Sequence, residues 1–155
     1  MKKIIGLFII LSVLGATFWR MATHEEPMHA EDYYQLGIES GVAGKHEDAI
    51  EAFKKALHEN PNYVPAYLSL GNAYGNTGRY EESIASYKEG IQLNPRHPKV
   101  PQMEMNIAWI AQKMNDKKNA VLYAQKAIQS YTDRNDYAGV AMAGSQLQMI
   151  EKKAP

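Results

Sequence analysis

At 155 residues and 17.4 kDa, with 45% hydrophobic residues, the chain has the bulk for one modest core and is too apolar for a disordered polypeptide. Lys and Arg together number 17, as do Asp and Glu, so no net field draws the chain to nucleic acid, and no local basic stripe supplies one. Cysteine is absent, which excludes disulfides, thiolate metal sites and cysteine nucleophiles together.

Lys2 and Lys3 precede an uncharged apolar run from Ile4 to Trp19 that ends at Arg20, the pattern of an export or membrane signal over residues 1–22. As a helix the run reaches roughly 24 Å against a hydrocarbon core of ~30 Å, so spanning requires Met21 and Ala22, with Arg20 snorkelling. Two fates stay open. Val13 with Gly15, or Leu14 with Ala16, offers an imperfect cleavage site, which would leave a secreted or periplasmic product. Phe18, Trp19 and Arg20 instead form the interfacial collar of a retained signal-anchor helix. The lysines before the run, against Glu25 and Glu26 after it, place the N-terminus in the cytoplasm and the rest of the chain on the non-cytoplasmic side of the membrane. Residues 23–29, with Pro27, read as a polar linker.

From residue 30 to the end an all-α domain is expected, because apolar residues recur at three and four and no stretch alternates long enough for a strand. Breaks fall at Gly44, Pro61, Gly78, Pro95 and around Asn115. Most lie about 17 residues apart, so pairs of short helices repeat with a period near 34. Tyr33, Leu36, Gly37, Ala49, Phe53, Ala56 and Pro61 recur one period later as Tyr67, Leu70, Gly71, Ser83, Tyr87, Gly90 and Pro95. Gly37, Gly71, Ala49 and Ser83 are small enough to let the two helices of a hairpin approach, and Phe53 and Tyr87 fill the space beside them. Gly44 and Gly78 suit a left-handed C-terminal cap, and Pro61 and Pro95 are expected to stop one helix and start the next.

This pattern resembles the tetratricopeptide repeat family, whose signature is W-x2-L-G-x2-Y followed by Ala, Phe, Ala and Pro. The second repeat carries Tyr67, Leu70, Gly71 and Tyr74, then Tyr80; the first carries Tyr33, Leu36 and Gly37, with Ser40 in place of the signature tyrosine. A third repeat is displaced by about three residues placed in RHPKVP. There Ile107, Ala108 and Ala111 take the Leu, Gly and Tyr positions, Ala120, Ala124 and Ala127 match Ala49, Phe53 and Ala56, and Asn115 takes the glycine turn. The resemblance implies a right-handed superhelix of about three helix-turn-helix repeats (residues 30–63, 64–97 and 101–134), preceded by the N-terminal hydrophobic helix. Residues 136–153 read as a last helix, either a cap or part of an incomplete fourth repeat.

The resemblance also implies a function. Proteins of this family mostly bind other proteins, holding a partner protein or extended peptide in a concave groove lined by the first helices of the hairpins. Groove positions map to Tyr34, Ile38, Leu68, Asn72, Asn76, Met105, Asn106, Trp109 and Gln112. Asn72 and Asn106 would bond a ligand backbone and Trp109 would supply a buried anchor, although Ala108 and Ala111 beside Trp109 suit a core position equally. The clamp that some relatives use for a C-terminal carboxylate is not expected. Its positions are held by Tyr34, Ile38, Ser69, Gln102 and Asn106, and one repeat later Leu68, Asp136 and Val140 stand at its cationic positions. The expected role is a membrane-tethered adaptor or assembly factor without a cofactor, of exported or envelope complexes if the source is a bacterium. The alternative is a structural subunit that assembles with itself or with others through its convex surface and last helix.

Catalysis finds little support. His24 and His29 lie in the linker, His46 near the start of a helix, His58 in its last turn and His97 in a loop; no two share the i, i+4 spacing of a helical zinc site. The stretch GNAYGNTG from Gly71 to Gly78 lies in a helical pattern and lacks the Lys-Ser/Thr ending of a phosphate loop. An enzyme is not expected.

Overall fold

Residues 28–152 are described by a computed structural model and form seven α-helices. These are α1 (Ala30–Val42), α2 (His46–Glu59), α3 (Val64–Asn76), α4 (Tyr80–Leu93), α5 (Val100–Lys113), α6 (Lys117–Thr132) and α7 (Tyr137–Lys152). The apolar helix expected over residues 1–22 lies outside the described residues. Among those described, no helix is long and apolar enough to cross a membrane.

In α2 to α7 buried residues recur at helical spacing, whereas α1 fully buries only Gly37. In α2 the stripe is Ala49, Ile50, Ala52, Phe53 and Ala56, while Glu51, Lys54, Lys55 and His58 stay exposed. Glu47 and Asp48 in its first turn and His58 in its last complement the helix dipole.

Two kinds of turn join the helices. After α1, α3 and α5 the chain passes through a residue of positive φ: Gly44 at 75°, Gly78 at 77° and Asn115 at 57°. The amide five residues beyond a carbonyl then closes the helix end: Lys45 to Ser40 at 2.9 Å, Arg79 to Tyr74 at 2.9 Å and Asp116 to Ala111 at 2.8 Å. After α2 and α4 the turn is instead opened by asparagine. Asn60 Oδ1 accepts from the Asn62 amide and Asn94 Oδ1 from the Arg96 amide, with Pro61 and Pro95 between them. These prolines sit in the turn and do not start the next helix; Pro65 and Pro101, in the first turns of α3 and α5, stand where a missing N–H costs nothing. The junction between α6 and α7 breaks the alternation. Asn135 takes φ 56° and the Asp136 amide bonds the Tyr131 carbonyl at 3.0 Å, so α7 follows α6 through a turn of the first kind.

Packing follows the turns. The extensive helix contacts are α1 with α2, α3 with α4, α5 with α6 and α6 with α7, and the smaller ones link successive hairpins. α1 also touches α3, and α5 touches α7, so the odd-numbered helices form one layer and the even-numbered helices the other. The expected small-against-large contact is present. A Cβ on Gly37 would lie 2.5 Å from Phe53 Cε1, and one on Gly71 would overlap the Tyr87 ring. Three apolar clusters run down the stack: Ile50, Phe53, Leu70 and Tyr74; Val64, Leu68, Tyr87, Met103 and Ile107; and Ala108, Ala111, Ala120, Ala124 and Ile150. Each spans neighbouring helices, as in a core built by nearest-neighbour stacking.

Candidate peptide-binding face

The layer of α1, α3, α5 and α7 carries all nine residues mapped to the groove, and it treats them differently. Leu68 is only 6% exposed and packs with Val64, Tyr87, Met103 and Ile107, so it belongs to the core and offers a ligand almost no surface. Tyr34 and Ile38 are half-buried against the first cluster. The Tyr34 ring lies 5.8 Å from Phe53 and meets Tyr63 edge-on at 5.1 Å. Tyr63 in turn donates its hydroxyl to the Glu31 carboxylate, which holds Glu31 below the usual carboxylate range; burial, then this bond, push Tyr63 up. One end of the face is thereby pinned between α1 and the start of α3.

Asn72 and Asn106 come together, but their first partners are each other and a tyrosine. Tyr87 donates its hydroxyl to Asn72 Oδ1 at 2.7 Å, and Asn106 Nδ2 donates to Asn72 Oδ1 at 2.9 Å and to the Tyr87 oxygen at 3.3 Å. Burial raises the Tyr87 pKa, which keeps its proton available for donation. Sequence periodicity placed the two amides on one face and left Tyr87 among framework residues; the network joins α3, α4 and α5 through all three side chains.

Two hollows flank this network. Ile38, Asn72 and Asn76 line one of about 210 Å³ between α1 and α3, together with Gly41, Val42 and Ser69. Met105, Trp109 and Gln112 line a wider one of about 710 Å³ between α5 and α7, opposite Met142, Ser145 and Met149. Trp109 therefore belongs to the face and not to the core. It is 47% exposed, with the Lys113 ammonium 4.8 Å from its ring centroid. Met142 and Met149, 54% and 60% exposed, were not among the mapped positions, although their seven-residue spacing around Ser145 and Gln146 marks one side of a helix.

The charged groups of note lie elsewhere. Glu104 is buried against α6, where desolvation raises its pKa despite Ser130, Lys126 and Arg134. Arg134 donates to the carbonyls of Arg96 and His97, both at 3.1 Å, tying the α6–α7 turn to the α4–α5 loop. Among the described residues no group of three His, Cys, Asp or Glu side chains could hold a metal ion.

Comparison with known proteins agrees with this architecture. Solved structures of similar fold include PcrH in complex with the chaperone binding region of PopD, 24% identical over 78% of this chain and 90% of its own, with a TM-score of 0.71; PcrH is from Pseudomonas aeruginosa. SycD of Yersinia enterocolitica, in complex with a peptide of the translocator YopD, is 21% identical over 79% of this chain and 92% of its own, with a TM-score of 0.71. The TPR2B domain of yeast Sti1, in complex with pHsp70, is 14% identical over 81% and 98%, with a TM-score of 0.74. At these identities the likeness shows the fold. No curated protein matches the chain in sequence. Tetratricopeptide repeat models match residues 43–103 and 105–133, together more than half of the chain, which thus belongs to the tetratricopeptide repeat family.

Proposed function

We propose that this protein is a non-enzymatic interaction module that holds an extended peptide segment of a partner protein along the face of α1, α3, α5 and α7. The observation that carries the reading is the surface itself. On a layer whose core clusters are closed beneath it, exposed Trp109, Met142 and Met149 stand in one hollow and Ile38, Asn72 and Asn76 line another. Exposed apolar side chains set among amides suit a peptide, whose side chains need dry contacts while its backbone needs hydrogen bonds. The fold neighbours solved with bound segments of their partners support the same use of the fold. In this reading the apolar segment Ile4–Trp19 tethers the module to a membrane, with the repeats on the non-cytoplasmic side, and the module acts as adaptor or assembly factor for a membrane-associated complex.

Site-specific photo-crosslinking of the full-length protein in its native membrane tests this. A photoreactive residue at Asn76 or Trp109 should trap the same partner polypeptide, and one at exposed Glu51 of α2 or Gln125 of α6 should not. Crosslinks confined to Glu51, Gln125 or the outer side of α7 would replace the groove with lateral assembly.

A further inference from the structure

The hollow between α1 and α3 lies at a junction whose counterpart one repeat later is closed by an isoleucine. Gly41 and Gly75 lie one period apart, near the ends of α1 and α3. At Gly75 the space is taken: Ile110 Cδ1, from α5, would stand 3.3 Å from a Cβ there, and Ser83 Oγ 3.4 Å. At Gly41 the nearest neighbour is Ala49 Cβ, at 3.9 Å. The α3 residue that corresponds to Ile110 is Ala73, since Leu70 and Gly71 of α3 share positions with Ile107 and Ala108 of α5. Ala73 ends at its Cβ, so the branched chain that Ile110 lays over Gly75 has no counterpart over Gly41, and the space opens to the face as the 210 Å³ hollow.

We propose that this hollow is a specificity pocket for one aliphatic side chain, of the Ile, Leu or Val class, on the bound peptide; the proposal rests on the peptide-binding reading above. The occupant is identified by the protein itself, because Ile110 shows what fills the same geometry one junction later. Ile38, Val42 and Phe53 give the pocket apolar walls, and no carboxylate, lysine or arginine lines it. His46, whose Nδ1 is buried without a hydrogen-bond partner, is the one titratable group in the lining, so an ionised side chain would enter without a permanent counter-charge. Ser69, Asn72 and Asn76 line its polar side, where the ligand backbone must pass.

The test is a display selection of random dodecapeptides against detergent-solubilised full-length protein, followed by affinity measurement on the selected peptides. Selected peptides should share one Ile, Leu or Val whose replacement by Asp lowers affinity at least tenfold. Ala73→Ile, which refills the space as Ile110 does, should keep or raise the thermal midpoint and weaken those peptides at least tenfold. Val42→Asp, at the 86% exposed rim, gives a second variant that folding does not depend on, and it should weaken them similarly. Unchanged affinity in either folded variant, or selection of a charged residue at the shared position, overturns the pocket. Peptides that need Trp109 and Gln112 but ignore positions 42 and 73 overturn the pocket alone; failure to select any peptide overturns the peptide-binding reading with it.

Discussion

The first two hairpins and the C-terminal three helices share a period and pack by different rules. In α1–α4 an aromatic ring of the second helix lies over a glycine of the first, Phe53 on Gly37 and Tyr87 on Gly71. In α5 and α6 the same positions are Ala108 and Ala124, both fully buried, and the ring-on-glycine contact moves one helix on, to Tyr131 over Gly139. The aromatic thereby shifts from a hairpin's interior to the contact that seats α7, which also takes its turn from the hairpin type. Charge divides at the same place. Residues 28–95 hold ten acidic and five basic side chains, and residues 96–152 hold five and eight. In α2 and α4 the first turns carry Glu47, Asp48, Glu81 and Glu82, while α6 begins with Lys117 and Lys118, against the preference of its dipole. Within this one chain the hairpins are thus closed by different side-chain contacts.

The largest way to break this comparison is to add bulk where a ring lies on glycine. Gly71→Val should lower the unfolding free energy by about 3 kcal/mol, since the Tyr87 ring occupies the space the side chain needs. Gly144→Ala in α7, where a Cβ would meet no atom within 4 Å, should instead raise it by about 0.5–1 kcal/mol. Chemical denaturation followed by circular dichroism reads both. A Gly71→Val loss no larger than an ordinary surface change would remove the ring contact as the distinguishing device of the first block. Next in size, Tyr87→Phe keeps the ring over Gly71 and deletes its bond to Asn72, so it should cost about 1 kcal/mol and loosen α3 from α5 in amide exchange.

The smallest effect sits at the seam. His97 Nδ1 accepts from the Lys99 amide at 3.1 Å, and burial, then Lys99 and Arg134, depress its pKa below the ordinary 6.5. Folding therefore favours the neutral ring: its contribution is complete above about pH 6.5 and is lost as the pH falls through the depressed folded value. Denaturation midpoints of the wild type should drop over that interval more than those of His97→Gln. Identical profiles would show that the loop between the blocks does not sense the proton.

Much of this architecture was legible because hairpin packing is written in residue size at fixed spacing. Gly37 with Phe53, Gly71 with Tyr87, and the left-handed turns at Gly44, Gly78 and Asn115 all follow from which residues tolerate close approach or positive φ. Asn135 is not legible in the same way, because its junction carries neither the glycine nor the proline that marks most of the other breaks. The site was harder. Periodicity assigns a residue to a side of a helix but not to a depth, which is why Leu68 was placed in the groove and why Trp109 suited core and groove equally. Nor does it show which polar atoms are already taken, and the bonds of Asn72 and Asn106 to Tyr87 appear only when three helices are assembled.

That same trio of side chains has a mechanical consequence. Asn72, Tyr87 and Asn106 come from three successive helices and meet at the middle of the stack, between its two hollows. Bonds at that point oppose sliding of α5 past α3, each by the modest amount of one side-chain hydrogen bond. They help to hold the two hollows of this face at their spacing, which on the proposed reading is the span that a bound peptide would have to match.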